Sequence, residues 1–251
     1  MFEIEIEIIM IIDEDWQKDY PSTEEVTEES LDDNSSLKKM LNLVEDGRDR
    51  DVIDFGCATG YLSNLLQKKG CTVTGIEINV DAAKIAEKYC QQVIVADLDF
   101  VSLTAILPSH KFDVAMFGDV LEHLRNPSKT LKETKQILKE DGYVIASIPN
   151  IAHAAIRLSL LQGRFEYTDL GILDNTHLKF FTRKTVKDLF EKAGYLVEII
   201  DCTKLDCFSE SSLIPQNEIS EFHVDTIRKI QEDEDCDTLQ FIIRAYPLSQ
   251  N

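Results

Sequence analysis

The residues best able to do chemistry fall in two groups. The first follows Val52-Ile53-Asp54-Phe55 and reads Gly56-Cys57-Ala58-Thr59-Gly60-Tyr61. An acid ending an apolar strand, then small residues leading into a helix, lets a ligand come close to the backbone, because glycine tolerates positive φ. The amides that open the helix can face a negatively charged group. Alone, this turn also suits a dinucleotide. Glu77 ends the next apolar run, where it can accept hydrogen bonds from a ribose diol, and Ala96-Asp97-Leu98 ends the one after, where Asp97 can meet an adenine amino group. The second group is Gly118-Asp119-Val120-Leu121-Glu122-His123-Leu124, with His177 further along in Thr176-His177-Leu178-Lys179-Phe180-Phe181-Thr182-Arg183. If the first of these turns is helical, Asp119, Glu122 and His123 share one face. Two carboxylates and an imidazole aimed at one point can hold a divalent ion such as Mg2+. Without a metal, His123 or His177 is the natural general base. Acids at three consecutive strand ends are costly unless something polar sits against them.

These residues need a scaffold, and the hydropathy pattern supplies one. Ser35 to Glu45 carries Leu37, Met40, Leu41 and Val44 on one helical face. Short apolar runs then alternate with helical stretches. Strands are expected at 52–55, 72–76, 93–95, 112–117 and 143–148, with helices at 61–69, 81–89, 102–107 and 127–139 between them. Asp141-Gly142 reads as the turn into the fifth strand. That rhythm is the signature of a parallel sheet covered on both faces. Such sheets bind ligands beyond the carboxyl ends of their strands. After Pro149 the rhythm changes. A helical segment at 151–161 leads to an aromatic stretch ending at Phe181, then a helix from Thr182 to Ala193, a strand at 195–200, weak helical character at 215–231 and a last strand at 238–246.

At this point the residues resemble the class I S-adenosylmethionine-dependent methyltransferases, over roughly Ser35 to Tyr246. The turn after Asp54 is similar to the family's acid-x-Gly-x-Gly-x-Gly, with Ala58 where the middle glycine usually stands. A nicotinamide dehydrogenase would show G-x-G-x-x-G instead. The resemblance implies an α/β, doubly wound, mostly parallel seven-stranded Rossmann-like sheet closed by an antiparallel hairpin. It implies S-adenosylmethionine against Asp54, Gly56, Cys57, Ala58 and Gly60. Glu77 and Ile78 would meet the ribose, Asp97 and Leu98 the adenine, and Gly118 and Asp119 would complete the wall. The acid-x-x-Glu-His segment is similar to that of ubiquinone-biosynthesis O-methyltransferases, and also of small-RNA 2′-hydroxyl methyltransferases, which add a histidine before an aromatic-Thr-Arg segment. Both use a metal to hold the accepting hydroxyl. The ligands implied here are Asp119, Glu122, His123 and His177, with Asp119 one methylene shorter than the family's Glu. Other class I members carry Val-Leu-Glu-His-Leu with no metal. Segment 149–181 resembles a substrate cover in polysaccharide-associated methyltransferases. Arg157, Arg164, Tyr167 and His153 could line a polar acceptor pocket there, or the aromatics could simply pack the lid.

Composition narrows the function classes. The chain has 251 residues and a formal net charge of −20. Such a chain repels phosphate backbones at long range, so nucleic acid is disfavoured as a partner. Residues 1–34 form an acidic arm with a possible strand at 3–8, where Glu and Ile alternate, and residues 35–251 form the main domain. The six cysteines contain no CxxC pair and match no zinc spacing. No apolar run reaches the roughly 18–20 residues of a membrane span, and the Glu-rich start is unlike a secretory signal, so a cytoplasmic protein is expected. The expectation is methyl transfer from S-adenosylmethionine to a hydroxyl of a small molecule, sugar or glycan. The alternatives are RNA 2′-O-methylation and a non-catalytic cofactor-binding interaction protein.

Overall fold

The computed structural model describes residues 27–44, 47–205 and 228–248. The strand expected at 3–8 and most of the weak helix expected at 215–231 lie outside them. The elements in chain order are α1 (Ser36–Leu43), β1 (Asp51–Phe55), α2 (Tyr61–Lys68), β2 (Thr72–Glu77), α3 (Val80–Ala86), β3 (Gln92–Val95), α4 (Leu103–Ile106), β4 (Phe112–Gly118), α5 (Pro127–Ile137), β5 (Leu138–Pro149), α6 (Ala154–Leu161), α7 (Arg183–Lys192), β6 (Tyr195–Lys204) and β7 (Thr238–Pro247).

The strands form one seven-stranded sheet in the order β3-β2-β1-β4-β5-β7-β6. The first five are parallel, and β7 runs antiparallel between β5 and β6. This is the doubly wound sheet with a terminal antiparallel hairpin that the sequence pattern implies. Strand order reverses between β1 and β4, which opens a crevice at their carboxyl ends. Register carries the chemistry there: Phe55 pairs with Ile76 and Phe117, Glu77 with Val95, and Gly118 with Ser147.

Side chains alternate across the sheet, and both faces are apolar. Ile53, Phe55, Ala115 and Phe117 join one core, where the Phe55 and Phe117 rings stack at 4.3 Å. Val52, Val114, Met116 and Ile145 join the other, beneath Met40 and Leu41 of α1 and Leu62, Leu65 and Leu66 of α2. Asp54 shares the parity of Val52, so its carboxylate faces α2 rather than the Phe-lined core.

Local capping explains several helix starts. Ser35 accepts from the Lys38 amide, Asn79 from Asp81 and Ala82, and Asn126 from Lys129 with Pro127 at the first helical position. Thr182 and Thr185 cap α7 reciprocally. The start of β5 differs from expectation. The strand begins at Leu138, ahead of Asp141-Gly142, and its pairing with β4 jumps from Phe112–Leu138 to Val114–Tyr143, so residues 139–142 loop out of the ladder. A Cβ at Gly142 would lie 3.1 Å from the Lys139 backbone, the close approach of a tight turn. Residues 27–34, assigned on sequence to the arm, are tied to the domain: Asn34 exchanges hydrogen bonds with the Lys204 backbone at 2.7 and 2.9 Å.

Candidate cofactor cleft and imidazole–carboxylate cluster

The turn after β1 winds through the left-handed region three times, at Gly56 (φ +64°), Ala58 (φ +49°) and Gly60 (φ +83°). At Gly56 the constraint is double, because a Cβ there would also sit 2.8 Å from Val120 Cγ2. Ala58 adopts the same hand with a methyl group, at a cost of about 1–2 kcal/mol. The turn holds that shape because the Ala58 amide donates to Glu77 Oε2 at 2.8 Å. The other oxygen, Oε1, accepts from the Asn79 amide at 2.8 Å. Glu77 is thus the clamp between two strand ends as well as the carboxylate expected to face a ribose. Burial raises its pKa, offset by those backbone donors.

Beside the turn opens a small cleft, partly open to solvent. Asp54, Gly56, Cys57, Gly118 and Asp119 line it, as expected, together with Ser36, Leu37, Met40, Tyr61, Leu62 and Ser147. Asp54 is 2% exposed and accepts a 2.8 Å hydrogen bond from Ser63 of α2. Burial lifts its carboxyl to about 7, against the opposing pull of the Ser63 hydroxyl. Ile78, Asp97 and Leu98 stand at neighbouring strand ends but are not part of this wall. Asp97 Oδ1 accepts from the Asp99 amide at 2.8 Å. Sequence reasoning missed the contributions of α1, of Ser63 and of Ser147, none of which carries a motif.

The expected helical face joining Asp119 to Glu122 and His123 does not form. Asp119 has φ +54°, and the short 3-10 turn that follows covers only Leu121–His123. The Asp119 carboxylate instead accepts from Ser147 Oγ at 2.8 Å and from the Gln240 amide at 2.7 Å. That anchors it on the cofactor cleft. The correction is that Asp119 is not one of the converging donors. The group that does converge is Glu122, His123 and His177, whose donor atoms lie within 4.8 Å of one another. Two backbone bonds bring the distant segment in, with the Leu178 and Lys179 amides both donating to the Glu122 carbonyl at 2.9 Å.

Both rings are oriented from behind. His123 Nδ1 lies 3.2 Å from the Thr176 carbonyl, and His177 Nδ1 lies 3.1 Å from the Ile172 carbonyl. His123 Nδ1 also lies 3.2 Å from the Thr176 hydroxyl. A carbonyl only accepts, so a neutral ring bonded to one donates from Nδ1 and carries its acceptor lone pair on Nε2. His177 Nε2 stands 4.0 Å from Glu122 Oε1. Glu122 is 1% exposed and His177 8%, and the two rings meet edge to face at 4.7 Å. The donor set fits a divalent cation, with one carboxylate, two imidazoles and a carbonyl behind each ring.

The cover residues divide between buried struts and side chains nearer the surface. His153 is fully buried, caps α6 and bonds the Leu205 carbonyl at 2.8 Å. Arg157 pairs with Asp233 at 2.7 Å. Neither lines the cleft beside the glycine turn. Arg164 bonds the Gln162 side chain. Tyr167 is largely exposed, against the edge of Phe165. Among the described residues no helix is long and apolar enough to cross a membrane.

Glycine turn, clamping glutamate, switch-point cleft and terminal hairpin together define a class I methyltransferase fold. The chain belongs to the family described as "Methyltransferase domain", whose model matches residues 31–198. A ubiquinone biosynthesis O-methyltransferase of Glaesserella parasuis serovar 5 (strain SH0165) is 32% identical over 124 residues, covering 46% of this chain and 52% of the relative. That of Shewanella pealeana (strain ATCC 700345 / ANG-SQ1) is 27% identical over 150 residues, covering 57% and 62%. The chain thus spans about half the length of the first of these and somewhat more of the second. A SAM dependent methyltransferase from Archaeoglobus fulgidus superposes with a TM-score of 0.56 at 24% identity, covering 83% of this chain and 91% of that one. The magnesium protoporphyrin IX methyltransferase of Synechocystis PCC 6803, with bound SAH, gives 0.57 at 14% identity, covering 85% and 83%.

Proposed function

We propose that the protein transfers the methyl group of S-adenosylmethionine to a hydroxyl oxygen of a small molecule, sugar or glycan. The observation that carries this reading is the Glu122–His123–His177 cluster, whose first member follows Asp119 of the cleft wall by three residues. The relatives named for O-methylation support it, as does the net charge of −20, which disfavours a phosphate polymer as acceptor. Asp54 is a buried acid on the wall of the cleft, and a cationic cofactor there would offset the cost of its burial.

Methyl transfer from a sulfonium asks mainly for alignment of nucleophile, methyl carbon and sulfur. A hydroxyl also needs its proton weakened. Glu122, His123 and His177 would hold a divalent cation, which when bound lowers the pKa of a coordinated hydroxyl. The Ile172 carbonyl holds His177 Nδ1 and leaves its Nε2 on the Glu122 side. Without a cation, either Nε2 can accept the hydroxyl proton directly. The deciding experiment titrates the protein with S-adenosylhomocysteine by calorimetry, with and without Mn2+ or Mg2+. Micromolar binding is expected, with a separate metal heat that Glu122→Ala abolishes. No binding of S-adenosylhomocysteine would overturn the cofactor reading. A metal heat unchanged in Glu122→Ala would overturn the metal assignment.

A further inference from the structure

Two thiols meet behind the cofactor turn. Cys57 sits inside the turn, is 3% exposed and lines the cleft. Cys90 follows α3, near the start of β3, and is half-buried. Between them lies Gly75 of β2. A Cβ at that position would stand 2.6 Å from Cys57 Sγ and 3.3 Å from Cys90 Sγ. Both sulfurs therefore occupy the space that any other residue at 75 would fill, and the missing side chain is what lets them sit side by side. Both are free thiols.

The pair is chemically unequal. The neighbouring Cys57 sulfur holds Cys90 below the usual thiol range, against the opposing effect of burial. Its Cys90 neighbour and its own burial push Cys57 up. The half-buried sulfur is thus both the more accessible and the more readily ionised of the two. This is the arrangement of an attacking thiol beside a resolving thiol.

We propose that Cys57 and Cys90 form a reversible disulfide under peroxide, and that this bond impairs the cofactor cleft. The Cys90 thiolate attacks one oxygen of hydrogen peroxide, giving a sulfenic acid and releasing hydroxide. The Cys57 thiol then displaces water from that sulfur as the S–S bond forms. Overall, two thiols are oxidised and one peroxide is reduced to two waters. A disulfide fixes its sulfurs at about 2.05 Å with a restricted dihedral angle. Meeting that demand pulls on the turn between Gly56 and Gly60. It also pulls on the end of α3, which already crowds the turn: a Cβ at Gly60 would lie 3.0 Å from Ala86 Cα and 3.1 Å from the Tyr89 ring. The effect on the cleft rests on the cofactor reading above, whereas the bond itself does not.

The test compares dithiothreitol-reduced and peroxide-treated full chain, as wild type, Cys90→Ser and Cys90→Ala. Peptide mapping reads the bond, and calorimetry with S-adenosylhomocysteine reads the cleft. Expected are a Cys57–Cys90 cross-linked peptide in oxidised wild type only, at least a tenfold loss of affinity with it, recovery on reduction, and no such loss in either variant. Absence of that peptide would overturn the disulfide. An equal loss of affinity in both variants would assign the inhibition to another group. If the reduced wild type bound no S-adenosylhomocysteine, the cofactor reading would fail while the peptide map still decided the bond.

Discussion

The carboxyl of Asp54 makes the cofactor cleft a pH-sensitive site, and the sign can be worked from its burial. Moving its pKa from 3.8 to about 7 penalises the charged form by roughly 4 kcal/mol, at about 1.4 kcal/mol per pH unit. In the ligand-free protein the folded state binds more protons than the unfolded chain between those values. Stability from this group is therefore greatest at low pH and falls as pH rises through that window. A ligand carrying an ammonium group near Asp54 reverses the preference, because it favours the carboxylate. Affinity for S-adenosylhomocysteine should then fall as pH drops below about 7, by about tenfold between pH 8 and pH 6 if the bound pKa returns towards its ordinary value. Calorimetry at pH 8, 7 and 6, in two buffers of different ionisation enthalpy, measures both affinity and protons released. Asp54→Asn removes the titrating group, so its slope should be flat and its affinity at pH 8 lower. A wild-type affinity that does not change across this range would refute the argument. A slope that survives in Asp54→Asn would assign the titration to another group.

Glu77→Ala removes the acceptor for the Ala58 and Asn79 amides as well as the expected ribose contact. Charged hydrogen bonds contribute about 1.5–3 kcal/mol each, so S-adenosylhomocysteine affinity should fall by a hundredfold or more, with a lower Tm; an affinity within threefold of wild type would contradict the clamp. His177→Ala and His123→Ala should leave that affinity within a few fold while methyl transfer from labelled S-adenosylmethionine drops by at least a hundredfold once an acceptor is found. Retained turnover in both variants would remove the cluster from the chemistry. Ala58→Gly relieves left-handed strain of about 1–2 kcal/mol against glycine's extra chain entropy of about 0.5–1 kcal/mol. A Tm rise of no more than about 6 °C is expected, and a clear fall would show that the methyl group packs better than its φ suggests.

How much of this was legible in the sequence depends on whether a feature is local. The parallel sheet, its strand ends and the turn from Asp54 to Gly60 are written in consecutive residues, so periodicity and glycine placement suffice. The turn at Asp141-Gly142 lies inside β5 rather than before it, because Leu138 already pairs with Phe112 and only the partner strand reveals that pair. Asp119 misled for a related reason. The i, i+3, i+4 spacing presumes helical φ at every residue, and Asp119 takes the opposite hand. Its true partners, Ser147 and Gln240, come from β5 and β7 and are fixed by sheet order rather than by spacing. His153 and Arg157 look like pocket residues by type, yet the contacts of α6 with Leu205 and Asp233 turn them into struts. His177 shows the opposite case. Its place beside Glu122 depends on a crossing of more than fifty residues, and resemblance supplied what no local rule could. The amides of Leu178 and Lys179 on the Glu122 carbonyl are the physical reason that crossing closes. Chemistry assembled across strand ends is therefore readable as a list of residue types. Which of those types become ligands, clamps or struts is decided by the backbone hydrogen bonds that seat them.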